Sequence, residues 1–355
     1  MSNLVKLAAF GTKEPWSYDV MYQDILVCTV ASNGLVSING QLPYDLYLEE
    51  CEDDFDTRLM NLDNFRSWCA NRVLTLDREH AKQILNACAL SQATTEKEKF
   101  RVALTYNCLS LRDSYWVRKN KEERWDRLNL YENSLSNVCV DIALNGKNLT
   151  LTNTYLIASD CSTNGVFPKA WVRKQDGFYL YKGDRQDSVV KEVEAATMLR
   201  SLGLHVLKYQ YEKWDSQRVA ASACFTSKNV GYVSAESYSW NHDLTKAVEC
   251  FKKNFLQLVL ATYLVGNADC HWGNWGFLFK YSQLTGMVPI FDLNHAFEAT
   301  EDSLCLPWVV LGRSIRQLDA AREAIKQLGF VPREINFEQF KYGKYVQERL
   351  NRLRI

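Results

Sequence analysis

Apolar and polar positions divide the chain into a helical first part and a mixed second part. Two β-rich runs in residues 24–38 flank Asn33-Gly34, a dipeptide that accommodates the positive φ angles of a tight turn, so we predict a β-hairpin there. From Asn61 to about Asn145, apolar residues recur at three- and four-residue spacing, which predicts helices. These apolar positions are Phe65, Trp68, Cys69, Ala81, Ile84, Leu85, Cys88, Val102, Ala103, Tyr106 and Leu109. Helix starts are predicted at Thr75 and at Thr94 or Thr95, where a cap hydroxyl precedes first-turn acids.

The pattern changes near Lys147 to short β-rich runs separated by turn residues. Between Ser188 and Leu204, an apolar stripe of helical period predicts a helix that ends at Gly203. Five strands and this helix are typical of the small lobe of a kinase-like fold. The predicted strands are 149–157, 169–174, 178–182, 218–226 and 230–235.

The last third of the chain is predicted to be mainly helical. The segment from about Asp243 to Val265 is apolar over most of its circumference, which predicts one central buried helix closed by Gly266. Two strands at 275–280 and 287–291 are predicted to form a hairpin around Leu284-Thr285-Gly286.

Two further helices are predicted at the C-terminal end, from Ser314 or Arg316 to Leu328 and from Asn336 to Arg354. The basic residues from Arg349 to Arg354 are interpreted as a solvated face suited to a helix C-terminus.

Composition narrows the class of protein. The 355 residues are 47% hydrophobic, enough for a sizeable core and two or three domains. Lys+Arg and Asp+Glu both number 42, so no overall field favours nucleic acid, and direct nucleic-acid binding is not expected. The 11 cysteines include no C-x-x-C pair, which favours a reducing cytoplasm over a disulfide framework. The longest apolar run is well short of the ~20 residues that span a membrane, so no membrane association is expected.

Three polar residues near the predicted hairpin indicate chemistry. Asp269 and Asn274 lie five residues apart after the buried helix, and Asp292 follows the hairpin. A phosphoryl-transfer site needs one carboxylate that accepts the proton of the attacking hydroxyl, and a carboxamide with a second carboxylate that hold Mg²⁺. The arrangement therefore predicts Asp269 as the base and Asn274 and Asp292 as metal ligands.

Two histidines leave a zinc site open as an alternative. His271 and His295 lie close in sequence to the two aspartates, but zinc prefers closed sets of His and Cys ligands. Asn274 fits Mg²⁺ better, and His271 is interpreted as a residue that braces the loop by hydrogen bonds. Cys270 is interpreted as a packing residue.

A lysine and a glutamate upstream can complete such a site. Lys182 ends an apolar-aromatic strand, where its ammonium can face nucleotide phosphates, and such a lysine needs a carboxylate that orients it. Glu192 and Glu194 both lie in the early turns of the following helix, and Glu192 lies beside its apolar stripe. Both glutamates also suit the positive end of a helix dipole without any role in chemistry.

Two other segments are candidates for nucleotide contacts. The loop around Gly165 has small polar neighbours whose N–H groups can cradle phosphates, and Lys169 can add charge, although a loop with one glycine also suits an ordinary surface turn. Ala235 and Glu236 begin the connection to the second lobe, where adenine commonly meets backbone groups.

These motifs resemble the HipA-type serine/threonine kinases. GNADCHWGNWGFL followed by PIFDLNHAF resembles the family's G-N-x-D-x-H-x-x-N stretch and its P-x-[FY]-D-L element. The segment STNGVFPK, which contains Ser162, Thr163, Asn164, Gly165 and Lys169, resembles the family's phosphate loop. The resemblance covers roughly residues 150–355 and assigns Lys182 as the nucleotide lysine with Glu192 as its partner. It also places His271 next to the nucleotide.

The resemblance implies a two-lobed protein-kinase-like α+β fold and phosphorylation of a protein hydroxyl with ATP and Mg²⁺. In the family, phosphorylation of the loop serine, here Ser162, can switch the kinase off. Some members are toxins that phosphorylate aminoacyl-tRNA synthetases and pair with a DNA-binding antitoxin. Residues 1–145 differ from the usual N-terminal segment of those toxins.

The sequence thus predicts three parts. Residues 1–145 form a β-hairpin and a mainly helical region for docking or regulation, where an antitoxin or other regulatory partner can bind. Residues 146–236 form the small lobe and residues 237–355 the mainly helical large lobe. A cytoplasmic HipA-like kinase is the leading hypothesis, with a protein substrate of unknown identity. The alternatives are a small-molecule or lipid kinase of the same fold and a nucleotide-binding pseudokinase that serves as an interaction module.

Overall fold

A computed structural model describes residues 15–73, 95–133, 144, 168–300 and 302–353. The chain divides into two compact units. The first unit comprises residues 1–172 with 226–231 and 279–283, and the second comprises residues 173–225, 232–278 and 284–355. The sequence-based boundaries after residues 145 and 236 stay predictions.

The first unit contains an antiparallel sheet in the order β3-β2-β1-β4. β2 and β3 pair around the turn at Asn33-Gly34, which confirms the predicted hairpin. Gly34 has a φ of +82°, and a Cβ there would lie 2.3 Å from the Arg58 carbonyl oxygen, so no side chain fits. The strands are β1 (Ser17–Tyr22), β2 (Ile25–Ala31), β3 (Val36–Ile38) and β4 (Tyr115–Arg118).

The helices of the first unit follow the predicted apolar stripe in part. Phe65, Trp68 and Cys69 are buried on one helix, and Thr95 caps the next with a reciprocal bond to Glu98, as predicted. The strand β4 was wrongly predicted as helix, because its pairing with β1 depends on residues almost 100 positions away. The helices are α1 (Phe55–Ala70), α2 (Glu96–Thr105) and α3 (Trp125–Leu128). The helix start at Thr75 and the apolar positions 81–88 lie outside the described residues.

The second unit contains most of a four-stranded sheet in the order β5-β6-β8-β7, with one helix after β6. The predicted strands at 169–174 and 178–182 are confirmed to within one residue, whereas β7 was not predicted. The predicted strand 149–157 lies outside the described residues. The elements are β5 (Lys169–Lys174), β6 (Gly177–Lys182), α4 (Ser188–Ser201), β7 (Tyr209–Trp214) and β8 (Gln217–Ala223).

The following elements include a three-stranded sheet in the order β11-β10-β9 and a set of helices. The strands are β9 (Gly231–Ser234), β10 (Gly276–Lys280) and β11 (Gln283–Met287). The helices are α5 (Ala235–Ser239), α6 (Leu244–Cys250), α7 (Lys252–Leu264), α8 (Gln317–Leu328) and α9 (Gly343–Leu353). No helix in the described residues is both long and apolar enough to cross a membrane.

Three sequence-based predictions for this part are wrong in detail. The single helix predicted from Asp243 to Val265 is broken at Phe251, whose backbone is not helical. The hairpin turns at Tyr281, which has a φ of +48°, so Leu284-Thr285-Gly286 lies within β11 and not in the turn. Arg349 is buried, not solvated, because its guanidinium donates to the carbonyls of Tyr263 at 2.8 Å and Ala299 at 2.7 Å.

Candidate active site

A cluster of three charged side chains lies in the second unit, with Lys182 and Glu192 buried and Asp292 22% exposed. The Lys182 ammonium donates to Glu192 Oε1 at 2.6 Å and to Asp292 Oδ1 at 2.8 Å. Lys182 ends β6, and Glu192 lies on the buried face of α4 with Val189 and Val193, so the strand and the helix bring them together. The structure therefore brings together three of the residues that the sequence singled out.

Asp292 reaches the cluster through a strained backbone. Its φ is +58°, in the left-handed region that residues other than glycine rarely adopt. The preceding Ile290 forms a parallel bridge with Val206, just before β7. The following Leu293 N–H donates to Glu192 Oε1 at 3.3 Å. Contacts on both sides thus hold Asp292 in this conformation.

Burial and neighbouring charges have opposite effects on the pKa values of Lys182 and Glu192. Burial by itself would lower the pKa of Lys182, but the charges of Asp292 and Glu192 outweigh it and hold the pKa well above the ordinary value. Burial raises the pKa of Glu192, although Lys182 opposes that rise. Lys182 is therefore an ammonium at neutral pH, between two acidic side chains.

Tyr209 is a fourth member of the cluster, and the sequence analysis missed it. Its hydroxyl accepts a hydrogen bond from the Asp292 N–H at 3.3 Å. The Lys182 ammonium lies 5.6 Å from the centre of the Tyr209 ring. No local motif marks this tyrosine, because its partners Lys182 and Asp292 are 27 and 83 residues away.

The loop after α7 carries Asp269 and Asn274. The Asn274 amide donates from Nδ2 to the Asp269 carbonyl at 2.7 Å and to the Asp269 carboxylate at 3.4 Å. The Asp269 N–H donates to Asn267 Oδ1 at 3.0 Å. Asn267 is buried, and its own carbonyl accepts from Gln317 Nε2 at 2.9 Å. Side-chain hydrogen bonds to backbone groups thus fix the loop, while the Asp269 side chain stays 47% exposed.

His271 braces this loop, as the sequence predicted. Its Nδ1 accepts a hydrogen bond from the Gly273 N–H at 3.0 Å and so caps the short 3-10 turn Trp272–Asn274. Its Nε2 lies 4.0 Å from Asp269 Oδ1. Because Nδ1 is engaged within the loop, Nε2 is the ring nitrogen that can meet a ligand.

Backbone contacts connect the loop to the segment that follows Asp292. The Ala268 N–H donates to the His295 carbonyl at 3.2 Å, and the Phe297 N–H donates to the Val265 carbonyl at 2.6 Å. Burial raises the pKa of the intervening Cys270 to about 12, and the charges of Asp269 and Asp292 both contribute to the rise. Both aspartates therefore lie near Cys270, whose buried, protonated thiol packs as predicted.

The C-terminal segment holds α4 from outside the cluster. The two Glu194 carboxylate oxygens accept the backbone N–H groups of Lys341 and Tyr342, each at 3.1 Å. Asp187, just before α4, accepts hydrogen bonds from the side chains of the same two residues. Tyr342 also stacks on Phe297, with ring centres 4.2 Å apart. These contacts fix the helix that carries Glu192.

The remaining candidate residues have different environments. Ala235 begins the short helix α5, and its N–H donates to the Trp275 carbonyl at 2.9 Å, so this backbone donor is engaged within the protein. The Glu236 carboxylate lies next to Gly273, since a Cβ there would be 3.2 Å from Glu236 Oε2. Lys169 is buried at the start of β5, in the first unit. Ser162, Thr163, Asn164 and Gly165 lie outside the described residues.

Two side chains of this region carry the kind of donor atom that Mg²⁺ prefers. Carboxylate and carboxamide oxygens are the ligands that Mg²⁺ prefers, and Asp292 and Asn274 supply one of each. Because the Asn274 Nδ2 group donates within the loop, the side-chain oxygen Oδ1 is the atom of Asn274 that can face a cation. Glu192 and Asp292 place two carboxylates against one lysine, an excess of negative charge that a divalent cation can offset.

Comparisons with known proteins bear on the fold. No family model matches the chain, and the comparison with curated proteins finds no match. A solved structure of HipA from Shewanella oneidensis, in complex with HipB and operator DNA, is similar over 95% of this chain and 95% of that chain. The sequence identity is 12% and the TM-score is 0.54. The Helicobacter pylori proinflammatory kinase CtkA is 17% identical over 52% of this chain and 89% of that chain, with a TM-score of 0.40.

The likeness to HipA extends beyond residues 150–355, on which the sequence resemblance rests, since it covers 95% of the chain. Antiparallel sheets combined with helices agree with it, and so does the α+β class predicted from the sequence. The chain has a HipA-like kinase fold.

Proposed function

We propose that the protein is a kinase that transfers a phosphoryl group from Mg-ATP to a hydroxyl group of a protein. The observation that carries this proposal is the placement of Lys182 between Glu192 and Asp292, at 2.6 and 2.8 Å. A lysine held in this way, together with a carboxylate and a carboxamide on a fixed loop, meets the requirements of phosphoryl transfer. The HipA-like fold supports the same reading.

Each residue has a separate task in this proposal. Lys182 would hold the nucleotide phosphates, with Glu192 keeping the ammonium in place. Asn274 and Asp292 would hold Mg²⁺, which supplies charge neutralisation when bound. Asp269 accepts the proton of the attacking hydroxyl at its carboxylate, and its exposed side chain leaves room for an acceptor. Asn274 orients Asp269 through the two hydrogen bonds from Nδ2.

The acceptor and the partner are further parts of the proposal. We infer a serine or threonine hydroxyl, with Ser162 of the chain itself as one acceptor, from the resemblance of its loop to the HipA-type phosphate loop. The HipA structure contains HipB and operator DNA, which supports a regulatory protein partner. We propose that such a partner binds through residues 1–145. The balanced charge of the chain supports a partner other than nucleic acid.

Phosphate transfer by the purified chain tests the proposal. We expect incubation with Mg-ATP to add phosphate to the chain, detected by intact mass and localised by peptide mass spectrometry, and Asp269→Asn to prevent it. Labelled phosphate found on a small molecule or lipid instead would identify a kinase of the same fold with another acceptor. A chain that binds Mg-ATP without any transfer would be a pseudokinase, and one that binds no nucleotide would overturn the proposal.

A further inference from the structure

Tyr209 lies on the same face of the sheet as Lys182, on the other side of β8. Tyr209 is opposite Ser222, and Lys182 is opposite Ala220, two residues away on the same strand. Residues at this spacing point to one face of a sheet. The small side chains of Ala220 and Ser222 leave space above β8, and the Lys182 ammonium approaches within 5.6 Å of the Tyr209 ring centre.

Tyr209 contacts two members of the cluster. Its hydroxyl accepts from the backbone N–H of Asp292 at 3.3 Å, and its ring centre lies 5.6 Å from the Lys182 ammonium. Tyr209 is 5% exposed, and burial, followed by the charge of Glu192, raises its pKa. The hydroxyl therefore keeps its proton and can donate and accept at the same time.

Asp292 needs such support because of its backbone. A residue other than glycine in the left-handed region persists only where its surroundings hold it, and Asp292 has a φ of +58°. In this conformation its Oδ1 reaches Lys182 at 2.8 Å. The N–H bonded to Tyr209 belongs to the same residue, so the hydroxyl acts on the backbone that aims the carboxylate.

We propose that Tyr209 is a positioning residue of this site, whose hydroxyl presets the Asp292 carboxylate for Mg²⁺ and nucleotide phosphates. The proposal rests on the proposed kinase function for its ligand, but the hydrogen bond between Tyr209 and Asp292 forms without any ligand. Tyr209 itself touches neither the metal nor the reacting atoms in this assignment, so it acts through Asp292.

Tyr209→Phe tests the proposal, because this change removes only the hydroxyl and keeps the ring. We expect the Mg²⁺ concentration needed for half-maximal binding of a fluorescent ATP analogue to rise about five- to tenfold, as expected for one lost hydrogen bond. Tyr263→Phe is the matched control. Tyr263 is equally buried, and its hydroxyl donates to the Arg349 carbonyl at 3.2 Å, outside the cluster. The control should leave the Mg²⁺ dependence unchanged.

A second readout needs no ligand. We expect the Asp292 amide to be protected from hydrogen exchange in the wild-type chain, and Tyr209→Phe to speed its exchange at least fivefold, whereas Tyr263→Phe does not. An unprotected Asp292 amide in the wild type would overturn the proposal whatever the variants do. Equal Mg²⁺ dependence in Tyr209→Phe and the wild type would also overturn it. A wild type that binds no Mg-ATP would refute the proposed function, and amide exchange alone would then decide the positioning role.

Discussion

Lys182 and Asp269 belong to the same unit, but the protein places them in different environments. The Lys182 side chain is 7% exposed and bonded to two carboxylates, whereas the Asp269 side chain is 47% exposed and held through its backbone. A buried cation needs counter-charges within contact distance, because burial without them is costly. In the proposed function Asp269 is a base that meets a bulky acceptor, and such a base needs access instead. The proposal thus has a preset binding half around Lys182 and an accessible reacting half around Asp269.

Removing Lys182 should have the largest effect on stability. Lys182→Met leaves Glu192 and Asp292 without their common partner in a buried site, and we expect a loss of about 3–5 kcal/mol in the free energy of unfolding. Urea unfolding at pH 7 measures this loss. Lys174→Met is the matched control, because Lys174 pairs with Glu212 at 2.5 Å but is 29% exposed. The control should lose less than about 1 kcal/mol, and equal losses would contradict the comparison.

The loop that carries Asp269 can be displaced by a substitution that removes no charge. A Cβ at Gly273 would lie 2.6 Å from His271 Cε1 and 2.9 Å from Nδ1, so Gly273→Ala should displace the histidine that braces the loop. We expect a roughly 10- to 100-fold fall in phosphate transfer, since small displacements of reacting groups carry large penalties. At Gly286 a Cβ would meet nothing within 4 Å, so Gly286→Ala should keep full transfer. Equal rates in the two variants would exclude the bracing role.

The sequence singled out two residues of the charged cluster but not the tyrosine that contacts it. Lys182 and Glu192 were singled out because a strand that ends in lysine and a glutamate beside an apolar stripe are local patterns. Tyr209 was missed because β7, with the sequence YQYEKW, lies at the sheet edge and carries mostly polar or exposed residues. Its proposed role depends on contacts with Lys182 and Asp292, which no local pattern encodes.

Several predicted boundaries of helices and turns were wrong for a related reason. The break at Phe251 falls inside a stretch whose apolar period continues on both sides, so periodicity alone predicts one helix. The hairpin turn uses Tyr281 at positive φ, a conformation that turn statistics assign to glycine, and the prediction therefore chose the segment that contains Gly286. Arg349 was placed in solvent because its carbonyl partners, Tyr263 and Ala299, are far away in sequence.

A partly exposed ion pair between Lys341 and Asp187, just before the helix that carries Glu192, should contribute little. Hydrogen bonds from Lys341 and Tyr342 outweigh the effect of burial and lower the pKa of Asp187. A lowered pKa means that this stabilisation is present above the unfolded-state pKa of about 3.9 and is lost as the pH falls through the folded-state value. We expect Asp187→Asn to cost less than about 1 kcal/mol at pH 7. Urea unfolding at pH 7 and pH 3 measures the difference, which should shrink at pH 3; a constant difference would contradict this origin.

The smallest expected effect concerns the thiol of Cys270, the residue that follows Asp269. Burial raises the pKa of Cys270 to about 12, so at pH 8 almost no thiolate is present to react. We expect iodoacetamide to leave Cys270 unmodified in the native protein while it modifies the exposed Cys250. Peptide mass spectrometry reports both sites in one sample. Rapid modification of Cys270 would show that the backbone of the loop is as open as the Asp269 side chain.

Binding and turnover measured together in Asp269→Asn test the central claim most directly. The substitution removes the proposed base but leaves Lys182, Glu192 and Asp292 in place, and Asp269 is half-exposed, so unfolding should change by no more than about 0.5 kcal/mol. We predict that Mg-ATP affinity, measured by calorimetry, stays within a few-fold of the wild type while phosphate transfer falls at least ~100-fold. Transfer that persists at the wild-type rate in this variant would contradict the account.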